Sequence, residues 1–381
     1  MKKIEDEKNL DQKKILLRLD LNVPTKEGII TDTTRIDKIL PTLVFLLKKN
    51  SRIIIISHIG RPKGKVHDHL SMRPVCNYLS EKLNEKIKFI SETIFKINPN
   101  LLFLNEEEKI VLLENIRFYK QEEQNDDEFA KILSKFGDIY VNDAFSCSHR
   151  SHSSVTKITK FLPSFCGLQM SLEIEALKKV TTKIKRPITC IMGGSKISTK
   201  ISIIKNLIPK FENIVIVGGM ANNILEYKGF PIGKSIKEGN CKEIIKNIFS
   251  LAEKHKCKII FPEDVSVGKN MSDVSHNKKL IEVDRDDMIL DLGKKTIENI
   301  KSVIENSKTI LWNGPAGYFE NQNFAKGSIE IANKIVSNQK KTYSVAGGGD
   351  TIAFLNKANL INKFNFVSTA GGAFLEYLEG K

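Results

Sequence analysis

The sequence predicts an α/β fold of two domains, each a parallel sheet flanked by helices. Three observations carry this. Short β-branched runs that end in polar or glycine turns recur along the chain, helical patterns lie between many of them, and one long amphipathic segment breaks the rhythm near the middle. Near-continuous hydrophobicity suits strands buried on both faces, and strand alternating with helix builds parallel sheets. At 381 residues the chain exceeds what one core usually supports.

In order, the strand-like runs of the first half are ILLRLD (15–20), RIIIIS (52–57), KIVLLEN (109–115) and DIYVND (138–143). Those of the second half are PITCIMGG (187–194), NIVIVGG (213–219), KIIFPED (258–264), TILWNGP (309–315), YSVAGGGD (343–350) and NFVSTAGG (365–372). DDEFAKILSKF (126–136), CKEIIKNIFSLAEKH (241–255) and NFAKGSIEIANKIV (323–336) have helical periodicity. GLQMSLEIEALKKVTTKIKRP (167–187) reads as one helix with no strand before it, stopped by Pro187. It is the expected connector, which sets the domains at 1–166 and 185–381 with an interdomain helix at 167–184.

Composition excludes several classes. With 41% hydrophobic and 28% charged residues the chain can bury a real core. No apolar run approaches the ~20 residues of a membrane helix, and MKKIEDEKNLDQKK has no apolar stretch of a secretory signal. Six scattered cysteines without CxxC spacing point to reduced thiols in a cytoplasmic protein. The net charge of +15 suits anionic ligands, but no basic block is interleaved with aromatics, which argues against nucleic acid.

The strand ends fall into two chemical sets. Those of the first half carry Arg18, Asp20, Asn22, His58, Arg61, Arg117 and, in the loop VNDAFSCSHRSHSSV (141–155), Arg150. Those of the second half carry Gly193, Gly194, Gly218, Gly219, Gly314, Gly347–Gly349, Gly371 and Gly372. Ligands of open α/β sheets sit beyond the carboxyl ends of the strands. One domain is thus expected to offer guanidinium forks to a small anion. The other offers backbone amides and helix starts to a polyphosphate.

Arg18, Asp20 and Asn22 alternate along an ending strand and share a face, where Asp20 needs Arg18 or a ligand hydroxyl to be satisfied. Arg35 opens a helix after TDTT, against the helix dipole, so an anion is expected beside it. His149 and His152 form an HxxH pair without a third ligand, and no GxSxG exists for a serine hydrolase. His67 and His69 read as solvated loop residues. GFPIGKS (229–235) is one residue short of a P-loop, and the missing GxGxxG opposes a dehydrogenase. GGSKISTK (193–200), with Lys196 and Lys200 at one turn, and GGGDT (347–351), with Asp350 able to hold a hard cation, are the phosphate cradles that remain.

Nine motifs in order, RLDLNVP, TDTTRI, HIGRP, LLENIRF, YVNDAFSCSHRSHSS, IMGGSKISTK, ILWNGPAGYFE, AGGGDT and STAGGAFLEYLEG, together closely resemble phosphoglycerate kinase from about residue 15 to the end. The resemblance implies a monomer of two Rossmann-like domains joined by a hinge helix, with the active-site cleft between them. It implies 3-phosphoglycerate or 1,3-bisphosphoglycerate on the first domain and ADP or ATP with Mg²⁺ on the second. Carried over by motif, Asp20, Leu21, Asn22, Arg35, the stretch His58, Ile59, Gly60 and Arg61, then Arg117 and Arg150 bind the glycerate. Gly193, Gly194, Lys200, Glu320, Gly348, Gly349, Asp350 and Thr351 bind the nucleotide, with Asp350 on the metal and Glu320 on the ribose. Arg35, Lys196, Lys200, Gly371 and Gly372 act on the phosphoryl in flight. The sequence departs from the family at Ala370, where a glycine is usual, and at Val217, Asn223 and Ile224. It also lacks the short tail that usually follows LEYLEGK.

Overall fold

The computed structural model describes residues 2–105 and 107–381. The chain divides into two compact units between Ile174 and Glu175. Each is built on one six-stranded parallel sheet.

In the first unit the spatial order is Ile87–Ile90, Ile110–Leu113, Arg52–Ile56, Lys14–Leu19, Ile139–Asp143, Ser164–Cys166. Lys14–Leu19 is central because it has apolar residues for both faces. Ile15, Leu17 and Leu19 pack with Ile36, Ile39, Leu43 and Leu46 of the helix Thr34–Lys48. Leu16 faces the other way, onto Phe129 and Leu133 of the helix Asp127–Ser134. The chain builds outward on one side of Lys14–Leu19 and then crosses to Ile139–Asp143 on the other. That reversal is a switch point, where the turns after both strands diverge and leave a crevice. Asp20–Asn22 and the loop bearing Arg150 are those two turns.

The second unit runs Lys258–Ile260, Asn213–Ile216, Ile188–Met192, Thr309–Asn313, Tyr343–Gly347, Phe366–Ser368. Its order by appearance is 3-2-1-4-5-6, the doubly wound dinucleotide-fold arrangement. Its switch point falls between Ile188–Met192 and Thr309–Asn313, so GG(193–194) and GP(314–315) open side by side.

All ten expected runs contain strands, but the structure corrects the reading in three places. A strand, Ser164–Cys166, does precede the connector helix; it has three residues and only Cys166 is buried, too little for a hydrophobic pattern. That helix, Leu168–Thr181, stops well before Pro187, as the Lys183 N–H turns back to Lys178 O at 2.7 Å. KIIFPED is two strands. Lys258–Ile260 stays in the parallel sheet, and beyond Pro262 Asp264–Gly268 becomes the centre of an antiparallel sheet with His276–Lys279 and Met288–Leu292. HNKK, mostly exposed, gives no periodic signal of its own.

Candidate active site

The first unit gathers its cations beyond the central strands. Asp20 is not satisfied by Arg18. Its Oδ1 pairs with Arg35 at 3.2 Å and its Oδ2 accepts from Ser146 Oγ at 2.6 Å. The Arg35 guanidinium also donates to Asn22 O at 3.0 Å. A carboxylate of the same unit, then, is what offsets an arginine in the first turn of a helix, and the dipole itself is met by Asp37, which accepts from Thr33 Oγ1 at 2.8 Å. Leu21 is fully buried, and Asn22 Oδ1 accepts from the Gly60 N–H at 2.9 Å, tying two strand ends together.

Arg117 is buried on the short turn after Ile110–Leu113, held there by Asn115. It donates to Gly60 O at 3.0 Å, while its Nε lies 3.6 Å from Glu123 and makes no hydrogen bond. Arg150 is half-buried and Arg61 exposed; neither side chain has a hydrogen bond or ion pair among the described residues. Two histidines report the field these groups create. His58, beside the buried Ile59, is held well below its ordinary value, first by burial and then by Arg18, Arg117 and Arg35. His152 is pushed down to about 4 by burial, then by Arg117, Arg150 and Arg18. Both are neutral at pH 7, and the positive potential around them is what an anion would neutralise. The serines of the loop are largely structural: Ser153 and Ser154 are fully buried and bond to backbone, to Glu122 and to Arg18.

The second unit works with main chain. A Cβ on Gly193 would stand 2.2 Å from Pro315 O, and one on Gly314 would stand 2.3 Å from Gly193 O. Gly314 also has φ +104°, which side-chain-bearing residues rarely adopt. Only glycine lets the two switch-point turns touch. Asn313 binds them further: Nδ2 donates to Gly347 O at 2.7 Å and Oδ1 accepts from Lys200 Nζ. Thr351 Oγ1 accepts from the Gly314 N–H at 2.7 Å. Burial lowers the Lys200 amine's pKa, while the Asp350 carboxylate, among the groups around it, favours its charge. Lys196 is exposed and its side chain takes no hydrogen bond among the described residues. Gly348 precedes the helix Gly349–Lys357, so free amides and the exposed Asp350 share that end. Gly371 likewise precedes the short helix Gly372–Leu378, with open space where a side chain would be.

Next to these turns lies a cavity of about 250 Å³, whose apolar wall includes Ile236, Pro262, Met288, Leu290 and Pro315, with Tyr318, Glu320 and Asp350 at its lining. Glu320 is exposed there. Asn313, Ile236 and Leu290 escape a reading by motif. Asn313 could have been found from its place between a strand and a glycine; the apolar lining carries no such mark. The unusual Val217, Asn223 and Ile224 are all buried. Asn223 Nδ2 donates to Glu238 O at 2.6 Å, pinning the loop that carries Ile236. Among the described residues no group of three His, Cys, Asp or Glu could cage a metal. Asp350 alone with phosphate oxygens and water is nonetheless a set that Mg²⁺ accepts.

The phosphoglycerate kinase family model matches residues 4–381. The chain belongs to the phosphoglycerate kinase family. A phosphoglycerate kinase of Wolbachia pipientis wMel is 45% identical over 98% of this chain and 94% of its own. One of Bartonella bacilliformis is 41% identical over 99% and 95%. The solved phosphoglycerate kinase of Coxiella burnetii superposes with a TM-score of 0.92 at 36% identity, covering 100% of this chain and 96% of that one. That of Pyrococcus horikoshii gives 0.83 at 28% with the same coverage. Family membership makes the chain a kinase of glycolysis, and no helix among its described residues is long and apolar enough to cross a membrane.

Proposed function

We propose that the chain catalyses the reversible transfer of the acyl phosphate of 1,3-bisphosphoglycerate to ADP, giving ATP and 3-phosphoglycerate. The observation that carries this is the chemical contrast of the two switch points within a family member. One is rimmed by guanidinium groups around two neutral histidines, the other by glycine turns, a lysine and an apolar cavity.

In our reading Asp20, Leu21 and Asn22 hold the hydroxyl and carboxyl end of the glycerate. His58, Ile59, Gly60, Arg61, Arg117 and Arg150 hold its unreacting phosphate. Gly193, Gly194, Lys200, Gly348, Gly349 and Thr351 line the nucleotide's phosphates, Glu320 its ribose, and the apolar cavity its base. Asp350 would hold Mg²⁺, which when bound neutralises phosphate charge. An oxygen of the ADP β-phosphate forms the new P–O bond while the bond to the carboxyl oxygen breaks and the carboxylate leaves with its electron pair. No proton moves, so no catalytic base is needed. That fits a site whose histidines are neutral and whose side chains mainly neutralise charge. Arg35 reaches the moving phosphoryl by exchanging its contacts to Asp20 and Asn22 for it. Lys196, Lys200 and the amides of Gly371 and Gly372 steady it. The two bound substrates must meet with water excluded, or the acyl phosphate hydrolyses.

A cytoplasmic, monomeric enzyme with a moving hinge belongs to the same proposal; the six cysteines, all buried thiols, support the cytoplasm. A coupled assay of ATP with 3-phosphoglycerate tests the reading. Formation of 1,3-bisphosphoglycerate is expected; binding of both ligands without turnover would refute it.

A further inference from the structure

We propose that Arg18 is a positioning residue that fixes His58 in one form, a neutral imidazole carrying its proton on Nε2, so that the ring offers the glycerate one hydrogen-bond donor and never a charge. This rests on the reading of His58 as a substrate contact.

Arg18 is fully buried, so it cannot itself meet a ligand. A guanidinium only donates. Its NH2 lies 3.0 Å from His58 Nδ1, which must therefore supply a lone pair, leaving the ring proton on Nε2. Nε2 has no protein partner among the described residues. Arg18 is itself aimed by a directional chain. Nε donates to Ser154 Oγ at 3.2 Å, Ser154 Oγ donates to Glu122 Oε1 at 2.6 Å, and Glu122 also accepts from Ser154 N at 2.9 Å. NH1 is anchored on Leu19 O at 2.5 Å. The arginine end cannot reverse, because a guanidinium lacks an acceptor. Glu122 is fully buried, which raises its carboxyl, while Arg18 and the hydroxyl and N–H of Ser154 favour its charged form. Burial first, then Arg18, Arg117, Arg35 and His152, the charged and titratable groups acting on His58, all disfavour the imidazolium, and the contact of Arg18 with Nδ1 selects the neutral tautomer.

The test is long-range proton–nitrogen correlation spectroscopy of ligand-free enzyme carrying isotope-labelled histidine. In the native enzyme His58 is expected as the neutral Nε2–H tautomer, without titrating near the ordinary histidine value. Arg18→Met keeps bulk and removes the donors. It should give mixed tautomers or a ring that titrates, and raise KM for 3-phosphoglycerate about tenfold while KM for ATP holds. Arg18→Lys, whose ammonium can donate and cannot accept, should restore the tautomer. An Nδ1–H signal in the native enzyme overturns the proposal, as does a folded Arg18→Met with His58 unchanged. Should Arg18→Met not fold, the native spectrum and Arg18→Lys decide. The spectra need no substrate, so they are independent of the reaction assigned. A tautomer shift with KM unmoved would overturn the role in binding alone.

Discussion

In the proposed function the two switch points hold phosphate by opposite means. The first unit uses side chains, three of them anchored on neighbours, Arg35 on Asp20, Arg117 on Gly60 and His58 on Arg18, while Arg61 and Arg150 have no such anchor among the described residues. The second uses the peptide chain, in turns that touch and are pinned by Asn313 and Thr351, at the cost of admitting almost no side chain at Gly193 or Gly314. A side-chain site can be tuned one residue at a time. A backbone site is kept or lost whole.

The largest break in that contrast comes from Arg35. Arg35→Ala should lower kcat on the order of 10³-fold with a much smaller change in substrate affinity if, as proposed, its contribution is to the moving phosphoryl. A loss under about tenfold in steady-state assays would remove it from that role. Gly314→Ala comes next. It combines a positive φ with a clash on Gly193 O, together worth about 2–4 kcal/mol. Urea denaturation should show that loss, and calorimetric titration of ADP should find binding abolished; intact binding would mean the backbone site is more forgiving than argued. The finest probe is Asp291, buried at the cavity beside the glycine turns. One oxygen accepts from Gly327 N at 2.8 Å and the other has no hydrogen-bond partner. Burial raises its carboxyl to about 7 from 3.8. The folded state thus holds a proton that the unfolded chain releases. Its stabilising effect is full below about pH 4 and is lost as pH rises through about 7. Relative to native enzyme, Asp291→Asn should become more stable across that window, by on the order of 1–4 kcal/mol. A difference that does not vary with pH would show Asp291 ionised throughout.

Much of the first site was legible because guanidinium and imidazole groups announce themselves by type at strand ends. Their partners were not: that Asp20 would pair with Arg35 rather than Arg18 depends on where a helix fifteen residues on is packed. In the second unit glycine spacing marked Gly193, Gly194 and Gly348, since only close approach or positive φ requires them. The apolar cavity was invisible, because Ile236 and Leu290 look like any core residue until a loop is seen pinned by Asn223. The ten short hydrophobic runs gave ten of the twelve strands of the two parallel sheets, and Ile87–Ile90 and Ser164–Cys166 lay outside them. Ser164–Cys166 and His276–Lys279 form strands by pairing with neighbours, which a local pattern does not encode.

The cavity beside the glycine turns also bears on inhibitor resistance. A compound that leans on the amides around Gly193 and Gly314 would leave few escape routes, because exchanging either glycine forces apart two turns that touch, the turns the proposed function uses. One that leans on Ile236, Met288 or Tyr318 would meet side chains free to be swapped, and resistant variants should arise there first.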